Sequence, residues 1–356
     1  MSLNQDHNQF NMSGRIDTHI HALPPAYLSA VNAAGGDPSG FPSPEWSLDD
    51  ALKLMDNIST SIGILSVSAP GASIAGSGED GRKLAHTLNN DLADQISKSS
   101  AGRRLGFFGI LPDWQDVDGT VSEIEFLYQQ QKLCHGVTVF TSYGGKLLGD
   151  PVFKPIWEKL QAHKALVFLH PTGLDVTPKL IASALPQPIV DYPLATTRAA
   201  VDLVLTGTLH SCPDVDVILS HAGGTLPFLA TRVLGTLNIP ALANVVAVGY
   251  ETAQADFARF YYDTALSSGP TQLGGLLDFA DPSHILFGSD FPYCPDPLIE
   301  LQVLLYEGFV ASHPRGSIVA PEVLRGNSMT LLKKHSQGAD PNWDFEVKKM
   351  MHESKM

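Results

Sequence analysis

The chain has 356 residues, 44% of them hydrophobic and 17% charged, with a formal net charge of −14. That balance suits a soluble globular enzyme and excludes a disordered or fibrous chain, and the negative charge, without a Lys/Arg block, argues against nucleic acid and anionic membrane surfaces as partners. The three cysteines, Cys134, Cys212 and Cys294, form no CxxC pair, no apolar run approaches the ~18 residues of a spanning helix, and the Asn/Gln-rich start lacks the basic and apolar parts of a secretory signal, so a reducing, cytoplasmic setting is expected.

Residues 1–13 read as a flexible tail. The first strand, Ile16–His21, carries Asp17-Thr18-His19-Ile20-His21. Side chains two apart on a strand point the same way, so His19 and His21 present two imidazoles to one point, which suggests a metal. A long Gly- and Pro-rich connection, Ala22–Ser47, follows. Helical spacing over Leu48–Ile58, Arg82–Lys98, Val121–Leu133 and Pro151–His163 then alternates with strands at Ile62–Ser68, Arg104–Leu111 and Gly136–Thr141. The strand Ala165–His170 ends in a histidine and leads into a second long connection, Thr172–Leu194; both long loops read as lids or substrate walls. Strands at Val215–His221, Phe257–Thr264 and His284–Asp290 complete the set, the first ending in a histidine and the last in an acid. From His335 to Met356 the chain turns polar, which leaves residues 14–334 as one catalytic domain and 335–356 as an extension.

Eight strand-then-helix repeats, with continuous apolar runs such as Leu166-Val167-Phe168, predict a (β/α)8 TIM barrel whose strands are buried on both faces. His19, His21, His170, His221 and Asp290 all stand at C-terminal ends of strands, where such a barrel gathers its chemistry. Three histidines and one carboxylate fit a zinc-like site with an open position for water or substrate. Cys294 reads as a small buried residue. Asp17 is expected to orient a ligand or to close the barrel floor. Trp46, Phe291 and Tyr293 are placed to flank an aromatic ring, and Arg198 opens a helical stretch at the barrel mouth.

The ordered motifs Asp17-Thr18-His19-Ile20-His21, Phe168-Leu169-His170-Pro171, His221-Ala222-Gly223-Gly224-Thr225-Leu226-Pro227-Phe228 and Phe287-Gly288-Ser289-Asp290 resemble the amidohydrolase superfamily, in its aminocarboxymuconate-semialdehyde decarboxylase-like branch. Gly136 to Gly144 and Gly288-Ser289-Asp290-Phe291-Pro292-Tyr293 look most like the fungal 6-methylsalicylate decarboxylases. The resemblance implies one divalent ion, zinc first and manganese second, held by His19, His21, His170 and Asp290, with His221 as a nearby acid/base group. It also implies that Arg232, in Phe228-Leu229-Ala230-Thr231-Arg232, reaches the neighbouring subunit's site of a homodimer to grip a substrate carboxylate; Thr231 stands where many relatives have Gly. The implied reaction is the non-oxidative decarboxylation of a small ortho-hydroxy aromatic acid, 6-methylsalicylate to m-cresol and CO2, in polyketide secondary metabolism, with Asp290 delivering a proton to the ring carbon. The alternative is a lactonase-type metal hydrolase of the same superfamily, although Thr138 to Thr141 offer no lysine for carboxylation. A catalytically silent binding barrel is disfavoured by the intact ligand set.

Overall fold

In the computed structural model, which describes residues 14–336, eight strands pair in parallel in chain order: β1 Arg15–Ala22, β2 Thr60–Val67, β3 Leu105–Ile110, β4 Cys134–Phe140, β5 Leu166–His170, β6 Asp216–Leu219, β7 Tyr261–Asp263 and β8 Ile285–Leu286. The chain just beyond β8 closes the circle. Phe287 O accepts from Thr18 N–H at 3.0 Å and Phe291 O from His21 N–H at 2.7 Å, while His19 O takes the N–H groups of Ser289 and Asp290 at 3.2 and 2.9 Å. Every residue of β1 and β2 is buried, as a parallel sheet wrapped by helices requires.

Ile16, Ile62, Ile64, Phe108, Leu166, Phe168, Ile218 and Leu286 form one buried cluster, joined by Leu331 and Leu332 of the C-terminal helix. Phe168 packs edge-on to His19 at 4.9 Å between ring centroids, so an apolar plug supports the histidines from below. The pairing of β1 with β2 slips between Asp17 and Ile20. Asp17 sits at this slip, and its Oδ1 accepts the N–H groups of His19 at 3.0 Å and Ser289 at 3.2 Å. It therefore ties β1 to the segment after β8, next to a residue of each histidine and acid motif.

Most predicted strands match in place. The exception is Phe257–Thr264, where Phe257 ends the helix Tyr250–Phe257 and only Tyr261–Asp263 pairs; the apolar residues at the start of that run pack in the helical layer. The ladder of β8 stops at Leu286, and the helix foreseen from Pro151 starts with a 3-10 turn, Pro151–Phe153, before Lys154–Ala162. The last helix, Pro321–His335, includes His335, whose Nε2 meets Asp216 Oδ2 at 2.7 Å. The tail 1–13, and all but the first two residues of the extension, lie outside the described residues. No helix among the described residues is long and apolar enough to cross a membrane.

Candidate active site

At the C-terminal rim of the barrel, ligand atoms of His19, His21, His170 and Asp290 all lie within 4.8 Å of one another, and all four residues are buried. Asp290 Oδ1 is 3.1 Å from both His19 Nε2 and His21 Nε2, and those two nitrogens are 3.1 Å apart. The opposite ring nitrogens show why they converge. His19 Nδ1 donates to Asp263 Oδ2 at 2.9 Å, and His170 Nδ1 donates to Pro171 O at 2.7 Å. His21 Nδ1 faces Ser66 Oγ at 3.5 Å. A carboxylate and a carbonyl can only accept, so His19 and His170 carry their protons on Nδ1 and turn the Nε2 lone pair inward, the arrangement that orients metal-binding imidazoles.

The electrostatics differ from ring to ring. Burial and the neighbouring imidazoles hold His170 well below its ordinary pKa and lower His21 as well. Burial also pulls His19 down, but the Asp263 and Asp290 carboxylates outweigh it and raise it to about 10. Burial pushes Asp290 up, yet its contacts with His19, His21 and His221 hold it well below the usual carboxylate range. Two carboxylates against His19 call for positive charge at this point, and three nitrogens with one oxygen are a donor set that suits a divalent ion such as zinc.

His221 lies beside the cluster, its Nε2 3.8 Å from Asp290 Oδ2. The two oxygens of Asp290 are thus divided, Oδ1 toward the ligand cluster and Oδ2 toward His221. Both residues sit where the chain bends sharply after a strand, with φ of 55° at His221 and 63° at Asp290, a left-handed conformation that costs a non-glycine residue about 1–3 kcal/mol and clusters at functional sites. The turn after His221 depends on Gly224 (φ +65°), where an added Cβ would stand 1.9 Å from Pro193 O.

One residue of the site was not foreseen. Asp263, the last residue of β7, is fully buried. Its Oδ1 accepts the backbone N–H groups of His221 and Ala265, each at 3.0 Å, while Oδ2 holds His19, so one carboxylate fixes both the His19 ring and the His221 backbone. Its position at a strand end was the available signal, hidden by reading residues 257–264 as one uninterrupted strand.

A cavity of about 870 Å3 opens over the cluster. His21, His170, His221 and Asp290 contribute to its lining, together with Tyr293 and Cys294. Phe291 and Trp46 do not reach it: both pack with the main core, and the Phe291 backbone serves barrel closure. Arg198 and Arg232 are exposed on the helices Asp191–Leu205 and Leu226–Thr236 and do not line it either. No Lys or Arg among the described residues does.

The family model Amidohydro_2, described as amidohydrolase, matches residues 16–312. The chain belongs to the amidohydrolase family. This amidohydrolase is 39% identical over 323 residues to the 6-methylsalicylic acid decarboxylase acuB of Aspergillus aculeatus, covering 90% of this chain and 96% of that one. It is 40% identical over 287 residues to the 6-methylsalicylic acid decarboxylase of Penicillium expansum, covering 80% and 87%. Among solved structures, one described as an amidohydrolase II superposes with a TM-score of 0.76 at 29% identity, over 90% of this chain and 99% of that one. The amidohydrolase is thereby an enzyme of the decarboxylase kind.

Proposed function

We propose that this amidohydrolase is a metal-dependent decarboxylase of ortho-hydroxy aromatic acids, converting 6-methylsalicylate to m-cresol and CO2 in the cytoplasm as part of polyketide metabolism, with the barrel of residues 14–334 as its whole catalytic unit. The observation that carries the reading is the division of Asp290, one oxygen on the His19/His21/His170 cluster and the other facing His221 at the cavity base. His19, His21, His170 and Asp290 would hold a zinc or manganese ion, which would supply Lewis-acid chemistry toward the substrate.

The chemical difficulty is that CO2 lost directly from an aromatic ring leaves its electron pair in an orbital orthogonal to the π system. Protonating the carbon that bears the carboxylate makes it tetrahedral; the C–C bond electrons then restore the aromatic ring as CO2 departs. One proton is consumed per turnover, and the chain must deliver it to that carbon. Asp290 rests ionised, so its proton has to come from elsewhere. His221 is placed to supply it, passing a proton from Nε2 to Asp290 Oδ2, from which it reaches the ring. His221 Nδ1 is buried without a hydrogen-bond partner among the described residues. Closure of the cavity around an aromatic ring keeps competing water from this transfer.

Arg232 completes the proposal. It is exposed one helical turn beyond Phe228, which lines the cavity mouth and is 87% exposed. In a homodimer, an arginine so placed can serve the partner's cavity, which no Lys or Arg among the described residues lines. The direct test is to incubate metal-loaded enzyme with 6-methylsalicylate in D2O. The expected product is m-cresol with one deuterium at the carbon that carried the carboxylate; recovery of unchanged acid under metal-replete conditions would reject the assignment.

A further inference from the structure

One carboxylate on the cavity wall has no part in the chemistry above. Asp37 lies on the long loop after β1 and lines the same cavity as His21 and Asp290. Its Oδ1 accepts the Ser39 N–H at 2.7 Å, which fixes the side chain in a local turn, and no Lys or Arg among the described residues pairs with it. Burial raises its carboxyl above the ordinary value. A half-buried carboxylate without a cation is expensive to keep, and such groups are retained where a donor meets them.

Aromatic contacts link its loop to the ligand cluster. Phe41, on the same loop, meets Tyr293 edge-to-face at 5.7 Å, and Tyr293 in turn meets His21 at 5.4 Å. Tyr192, in the first turn of the helix Asp191–Leu205, meets His170 at 6.2 Å. Burial first, and then the charge of Asp37, raise the phenols of both tyrosines, so the carboxylate stands close to each. Asp37, both tyrosines, His21 and His170 line one cavity, so a ring seated at the cluster shares its space with this carboxylate.

We propose that Asp37 determines specificity at the ring edge opposite the carboxylate, accepting a hydrogen bond from a hydroxyl at position 4, so that 2,4-dihydroxy-6-alkylbenzoates are preferred over the monohydroxy acid. This rests on the decarboxylase reading and narrows its substrate class. Asp278, another acid on the wall, is already paired with Arg315 at 2.7 Å, whereas Asp37 has no such cation partner among the described residues.

The test compares 2,4-dihydroxy-6-methylbenzoate with 6-methylsalicylate on metal-loaded wild type, Asp37→Ala and Asp37→Asn, with metal content and thermal unfolding recorded for each. The wild type should favour the dihydroxy acid through KM more than kcat. Asp37→Ala should lower that preference roughly 10- to 100-fold, as expected for loss of a hydrogen bond to a charged group, and Asp37→Asn, which keeps an acceptor, should recover part of it. A preference unchanged in Asp37→Ala overturns the proposal. So does an equal gain for both acids, which would make Asp37 a repulsive charge alone. If neither acid is decarboxylated, the decarboxylase reading falls separately, and dissociation constants of the same two acids, measured by calorimetry in wild type and Asp37→Ala, decide the Asp37 assignment by the same ratio.

Discussion

Replacing Asp263 by asparagine changes a single atom and should disable a residue that touches no substrate. The carboxylate now accepts three hydrogen bonds, from the backbone N–H groups of His221 and Ala265 on Oδ1 and from His19 Nδ1 on Oδ2. An asparagine that keeps its oxygen on the two backbone donors turns its NH2 toward His19. That ring must then accept at Nδ1 and carry its proton on Nε2, where the lone pair for the metal should be. The flipped amide saves the His19 tautomer but sets NH2 against two buried N–H groups, at about 1–3 kcal/mol for each donor left unsatisfied. The first arrangement costs less, so the loss falls on the metal: affinity should drop roughly 10- to 100-fold, or about 1.4–2.7 kcal/mol. Titration of the apo-enzyme with zinc against a competing chelator reads this directly, and excess metal should restore part of the activity. Wild-type zinc affinity in Asp263→Asn, with unchanged kcat, would refute the account of how His19 is held.

His221→Asn should lower kcat by roughly 10²- to 10⁴-fold, the usual share of a general acid/base, with bound metal unchanged in elemental analysis, because His221 stands beside the ligand cluster and outside it. Gly288→Ala would bring a Cβ to 2.7 Å from the His19 Cβ; a shifted His19 predicts weaker metal binding in a chelator titration while circular dichroism stays native. Burial raises the Asp216 carboxyl, but His335 and Lys334 outweigh it and hold it below its ordinary value. A group depressed in the folded state contributes stability above its unfolded pKa, near ~3.9, and that contribution disappears as pH falls through the folded value. Lys334→Met, which removes a 2.6 Å contact to Asp216, should therefore melt below wild type at pH 6 by an amount equivalent to at most about 1 kcal/mol, since the lysine is half-exposed. The gap should close as pH drops below 4 in calorimetric scans.

The parts of the site that were readable from sequence are those written in strand periodicity. His19 and His21 share a face by alternation, and His170 and Asp290 end apolar runs, so the four converge as expected once eight runs close into a barrel. What escaped was set by the chain between and beyond strands. Asp263 was masked because Phe257 and Phe260 extend an apolar run that the fold divides between a helix end and a three-residue strand. Phe291 stands immediately after Asp290, yet the left-handed turn at Asp290 sends it into the core, while Tyr293 and Cys294 return to the cavity. Trp46 and Asp37 occupy one long loop, and only its folded path decides that the acid faces the cavity and the indole packs away from it. Charge placement was equally hidden: Arg198, foreseen at the mouth, is exposed on a helix and does not line the cavity.

The central claim is that CO2 release depends on one ion held by His19, His21, His170 and Asp290. The most direct measurement titrates zinc into chelator-stripped enzyme and plots CO2 formed from 6-methylsalicylate against metal bound per chain. The account predicts a linear rise from a negligible baseline to a plateau at about one ion per chain, the composition of a single mononuclear site. Full CO2 release from stripped protein, or a plateau reached without occupancy of that site, would contradict it.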